Sequence, residues 1–142
     1  MNTRLEADAT SLNWFKMLFL LAALYDGVLG VVFLFFYGPI YQSLGVPLPN
    51  SPSYIHLSAA FVLAQGVGYW FVYRNMLRNV DLVKVGVVYK AAYTLVSAYY
   101  LLAGQLLHAM FAWFAVCDLL FLLAFVRFLV LAQPAGLEAE RR

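Results

Sequence analysis

The chain has 142 residues, of which 65% are hydrophobic and 11% charged, with a formal net charge of +2. Soluble domains run at about 45–50% apolar and about 25% charged residues, and a chain this small has too little interior to hide the excess. A water-soluble globular domain is therefore excluded, most of the surface must face lipid, and so small a net charge points to no nucleic-acid partner. The single cysteine, Cys117, excludes an intramolecular disulfide, a CxxC redox motif and a cysteine-rich zinc site.

The first apolar run covers residues 11–37. Its head, MNTRLEADAT, is mixed in charge, and no small-residue cleavage site follows, so it reads as a retained anchor and not as a signal peptide. Residues 38–53 hold four of the five prolines and no charge, and are predicted to end the first helix and begin the second. Further apolar runs cover residues 53–73, 82–103 and 106–131. Each run reaches the roughly 20 residues that cross about 30 Å of hydrocarbon as a helix. Strict alternation, the mark of a transmembrane barrel, is missing, and backbone in lipid must satisfy its own hydrogen bonds, so all four runs are predicted helices. The turn at Gly104 and Gln105 is short enough to make the last two helices antiparallel neighbours. Pro134 and Gly136 are predicted to end the fourth, ahead of a charged tail. The expected fold is all-α: one domain, an integral membrane four-helix bundle with antiparallel up-down neighbours.

Basic residues set the expected orientation. Arg4, Lys16, Arg74, Arg78, Lys84, Arg127, Arg141 and Arg142 all fall at one end of the predicted bundle, and the first and third connections carry none. Positive loops stay in the cytoplasm, so both termini are expected there. Trp14, Trp70 and Tyr73 would form the inner aromatic belt, and Tyr37, Tyr41, Tyr54, Tyr99 and Tyr100 the outer one.

Four strongly polar residues lie inside the spans, one near the middle of each: Asp26, Gln65, Lys90 and Asp118. A charge at that depth costs at least about 2.5–3.5 kcal/mol on insertion scales, so the charged ones are expected to meet in one network, with Gln65 at its edge. Small residues at helical spacing, Ala22 and Gly30 around Asp26 and Gly86 below Lys90, leave room for partners, and Tyr93, Thr94 and Ser97 extend a polar stripe from Lys90. If all three charged groups ionise, the cluster carries one net negative charge in low dielectric, which favours one shared proton. Asp26, Gln65, Lys90, Tyr93 and Asp118 are therefore the candidate ligand or proton site. The competing reading is that such polar groups only hold helices together, each worth about 0.6 kcal/mol. Ala60, Ala64 and Gly68 form a small-xxx-small seam expected inside the bundle. His56 and His108, both near the outer boundary, are a secondary candidate pair for haem or metal; no cofactor or metal is otherwise predicted.

The stretches LYDGVLGVVFLFFYGPIYQSLGVPLPN, RNVDLVKVGVVYKAAY and FAVCDLLFLLAFV resemble a group of small bacterial four-helix membrane proteins, loosely DoxX-like or BphX-like. The matching positions are Tyr25, Asp26 and Gly27, then Lys90 and Tyr93, then Asp118, Leu119 and Phe121. The resemblance implies a bacterial inner-membrane protein and adds no reaction. Three functions follow as expectations. The first is a mid-membrane site binding or moving a small lipophilic or protonatable solute. The second is a structural or accessory subunit, in a homo-oligomer or larger membrane complex. The third is a membrane-embedded isomerase or redox enzyme using the carboxylates for proton transfer, although no hydrolase or phosphate-binding motif is present.

Overall fold

The computed structural model describes the backbone of residues 2–140 and the side chains of residues 12–131. Four helices account for nearly all of it: α1 (Asn2–Ser43), α2 (Ser53–Arg74), α3 (Val80–Leu102) and α4 (Ala109–Glu140). All four contain a stretch long and apolar enough to cross a membrane, with mean hydropathy of 2.3, 1.4, 1.3 and 2.5 in chain order. The bundle is inside-out by soluble standards. Large apolar side chains such as Leu21, Phe35, Phe61, Leu95 and Leu120 stand exposed on its outer surface, where lipid is the compatible solvent.

The helices form two hairpins. The pair α1–α2 is packed along its length, as is α3–α4, whereas the hairpins meet each other through far fewer close backbone approaches; α1 and α3 sit across one diagonal, α2 and α4 across the other. Intimacy within the first hairpin comes from glycine. A Cβ on Gly66 would lie 2.5 Å from the backbone nitrogen of Gly27, and one on Gly30 would lie 2.6 Å from that of Leu63. The contact face of α2 thus carries the buried Ala59 and Gly66. The seam expected from Ala60, Ala64 and Gly68 is not this face: Ala60 and Ala64 are exposed, and a Cβ on Gly68 would meet only the Gln65 side chain at 3.9 Å.

Three boundaries differ from the sequence reading. First, α1 runs on through Gly38 and Pro39 to Ser43. Proline removes one backbone donor, and here that costs a single bond near the helix end. Chain reversal happens instead at Gly45, where φ is +66° and the Val46 N–H donates to Tyr41 O at 2.8 Å; this is a glycine-dependent Schellman stop. The same device, Gly104 with φ +66° and the Gln105 N–H on Tyr100 O at 2.9 Å, ends α3. Second, α4 starts at Ala109 and not 106, because His108 caps it: Nδ1 accepts the Met110 N–H at 3.1 Å. Third, the backbone of α4 stays helical past Pro134 and Gly136 to Glu140. Between α2 and α3, Asn79 Nδ2 donates to Phe71 O and to Asn75 O, both at 2.9 Å, closing a short polar turn. An exposed ion pair, Lys84 to Asp81 at 2.8 Å, follows it.

The buried core lies between the hairpins at the end that carries the α2–α3 turn. Phe15 and Phe19 of α1 meet Phe125 and Phe128 of α4 at ring separations of 5.1–5.3 Å. Tyr69 of α2 packs edge-on to Phe125 at 5.0 Å. Val72 and Val83 complete the layer with no exposed surface.

A buried ion triad beside a membrane cavity

The three charged residues that the sequence places in mid-span share one point. Lys90 Nζ donates to Asp26 Oδ1 at 2.8 Å and Oδ2 at 2.9 Å, and to Asp118 Oδ1 at 2.7 Å. The ammonium thus meets three carboxylate oxygens, two of them on Asp26. Asp26 is 1% exposed, Lys90 0% and Asp118 5%, so the cluster is desolvated and its geometry is what makes it tolerable. Alternation of helix direction explains the meeting: a mid-span residue stays at mid-depth in either direction. Lys90 spans the bundle diagonal from α3 to α1 to reach Asp26, and it turns to its neighbour α4 to reach Asp118. Aromatic rings close around the ammonium, with Tyr25 centred 5.2 Å away, Phe121 5.5 Å, Tyr89 5.6 Å and Tyr69 5.8 Å. Ring faces are negative and attract a cation.

On the side of the triad away from the aromatic core, the hairpins part. A cavity of about 260 Å³ opens there, with Asp26 and Asp118 in its wall beside Tyr25, Phe33, Tyr89 and Phe114. It extends toward the end of the bundle that carries the α1–α2 connection, where Tyr41, Tyr54 and Phe111 border it. Tyr41, expected in the outer aromatic belt, is instead 5% exposed and turned into the bundle. A second hollow of about 560 Å³ lies between α2 and α3, and it shares Ser58, Val62, Tyr89 and Tyr93 with the first. Its other walls, Phe61 and Ala64, are exposed on the outer surface.

Gln65 does not join the triad. It lines the second hollow, and it makes no side-chain hydrogen bond among the described residues. Its depth is as expected, but its direction around α2 is not. Tyr93 lines both spaces. Tyr25 and Tyr89, each one residue before a triad member, are parts of the cavity wall that position alone would have flagged; Phe33, Phe111 and Phe114 carry no such signal. The buried hydroxyl of Tyr25 has no partner within the described protein. His56 sits edge-on to Tyr37 at 5.2 Å, and His108 uses Nδ1 as the helix cap. No group of three or more His, Cys, Asp or Glu able to hold a metal occurs among the described residues.

Fold and site together define a multi-pass, all-α membrane protein with a four-helix bundle and a charged centre. No protein-family model matches the chain, and neither does any curated protein or solved structure.

Proposed function

We propose that this protein binds a small lipophilic or protonatable solute in the cavity beside Asp26, Lys90 and Asp118, and holds or moves it at mid-membrane. The observation that carries this reading is the cavity. A cluster serving only as glue needs no space next to it, and close packing around the triad would meet that need better. Here about 260 Å³ adjoins two of the three charged groups, just below the roughly 300–1,000 Å³ of drug-sized sites and so suited to a smaller solute. The walls have the composition of such sites, aromatic with a few convergent polar groups. The hollow between α2 and α3 supplies a lateral way in from lipid.

In the same reading the chain is a bacterial inner-membrane protein akin to the DoxX-like group, with both termini cytoplasmic and the cavity opening outward. Lys16, Arg74, Arg78, Lys84 and Arg127 support that orientation through the positive-inside rule. Reporter fusions at Ser51 and Asn79 should report opposite sides, and the same side for both would overturn the orientation.

The binding test uses benzyl alcohol as a small lipophilic probe. Ligand-observed NMR on protein in an uncharged detergent should show saturable binding. Val62→Trp, which fills the wall shared by the two hollows, should remove it. Saturable binding that survives Val62→Trp unchanged, or saturable binding of neither benzyl alcohol nor its protonated amine analogue, would leave the triad as a structural tie and favour the accessory-subunit reading.

A further inference from the structure

We propose that the solute is a small organic monocation, an ammonium group on an apolar body, with the positive end seated at Asp118; this rests on the binding reading above and names its ligand class. Charge balance is the first ground. Two carboxylates face one ammonium, so the ionised triad keeps one negative charge at a buried, low-dielectric position. One further positive charge completes the site, whether a proton or a ligand headgroup.

The second ground is where the unmatched valence points. The Lys90 ammonium is fully buried and already faces both carboxylates, and both oxygens of Asp26 are engaged. Asp118 accepts through Oδ1 alone. Its second oxygen has no partner among the described residues, and it is not one of the sealed unpartnered atoms. Asp118 is 5% exposed, and it forms part of the cavity wall. The triad residue with an open acceptor thus borders the ligand space. The groups around it are Tyr25 and Asp26 from α1, Tyr69 from α2, and Lys90, Tyr89 and Tyr93 from α3. None but Lys90 is cationic, and Lys90 is already paired.

The third ground is the rest of the wall. Tyr25, Phe33, Tyr89, Tyr93 and Phe114 surround the space in front of Asp118. Aromatic rings with a carboxylate beside them suit an ammonium group, while an anion would meet a net negative centre. A neutral lipophile would fit the rings but leave the carboxylate unmatched.

Benzylamine, protonated at neutral pH, and benzyl alcohol have nearly the same shape and both donate hydrogen bonds, so they differ chiefly in charge. Titrated into the wild-type protein in an uncharged detergent at pH 7, benzylamine should bind at least tenfold more tightly. Asp118→Asn should erase that preference while benzyl alcohol still binds, which also shows that the variant is folded; its Lys90–Asp26 pair remains balanced. Equal affinities in the wild type, or tighter benzyl alcohol, would overturn the cation proposal and leave the binding site standing. Saturable binding of neither compound would overturn both. Should Asp118→Asn not fold, the wild-type comparison decides alone.

Discussion

Toward the α2–α3 turn, the space between the two hairpins is filled by Phe15, Phe19, Phe125 and Phe128, with Tyr69, Val72 and Val83 around them. Toward the α1–α2 connection the same space, between the same four helices, is a cavity bordered by Phe33, Tyr41, Phe111 and Phe114. Both halves are aromatic, so composition does not separate them. In the closed half the rings meet across the hairpins at 5.1–5.3 Å; in the open half Phe33 meets Phe114 at 6.0 Å and space remains beside them. The triad lies at the border. It follows that packing alone can hold this bundle at one end, and that at mid-membrane the ion pairs take over the tie between hairpins.

The largest effect should come from the border. Lys90→Met leaves two carboxylates buried together without a cation and should destabilise the bundle by about 3–5 kcal/mol. Adding Asp26→Asn and Asp118→Asn should restore most of the loss, read as the unfolding midpoint in mixed micelles. Wild-type stability in Lys90→Met alone would mean the triad is not a tie. Next come the two halves themselves. Phe125→Ala empties a filled layer and should cost about 3 kcal/mol, whereas Phe114→Ala enlarges an existing space and should cost under about 1 kcal/mol. Equal losses in the same assay would erase the contrast. The smallest contrast separates the two faces of α2. Gly66→Ala pushes a methyl against the Gly27 backbone and should cost about 1–3 kcal/mol, while Ala64→Leu on the outer face should stay within about 0.5 kcal/mol. A reversal would put the helix contact on the other stripe.

What could be read in advance follows from where the physics is local. A charge inside a 20-residue apolar run is out of place wherever the helix turns, and it must find a partner; Asp26, Lys90 and Asp118 needed only that argument and their mid-span depth. Gln65 satisfied the depth argument equally well, but it is neutral, and nothing compels it inward. Its direction was set by α2 rotation, which small residues at 59, 60, 64, 66 and 68 leave ambiguous: successive positions lie about 100° apart, so a one-residue choice of stripe turns the helix by more than a quarter. Pro39 misled because a proline marks a probable stop, while the stop itself lay in the φ of Gly45. The cavity was not legible at all. Empty space is a relation between side chains on opposite hairpins, and Phe114 reads no differently from Phe125.

The Lys90–Asp26 bond also joins residues 64 apart in the chain, which matters during biogenesis. At about 5–20 residues per second, roughly 3–13 s separate the synthesis of Asp26 from that of the lysine that matches it. With the same lag between the helices at the membrane, α1 enters the bilayer before its acid is matched, a load of about 2.5–3.5 kcal/mol on insertion scales. Its mean hydropathy of 2.3, against 1.3 for α3, is what lets it wait. The glycine contact between Gly27 and Gly66 gives it an early companion in α2, emerging one helix before the cation. Lys90 and Asp118, by contrast, are made 28 residues apart in adjacent helices, so the second hairpin can enter with its own charges already matched.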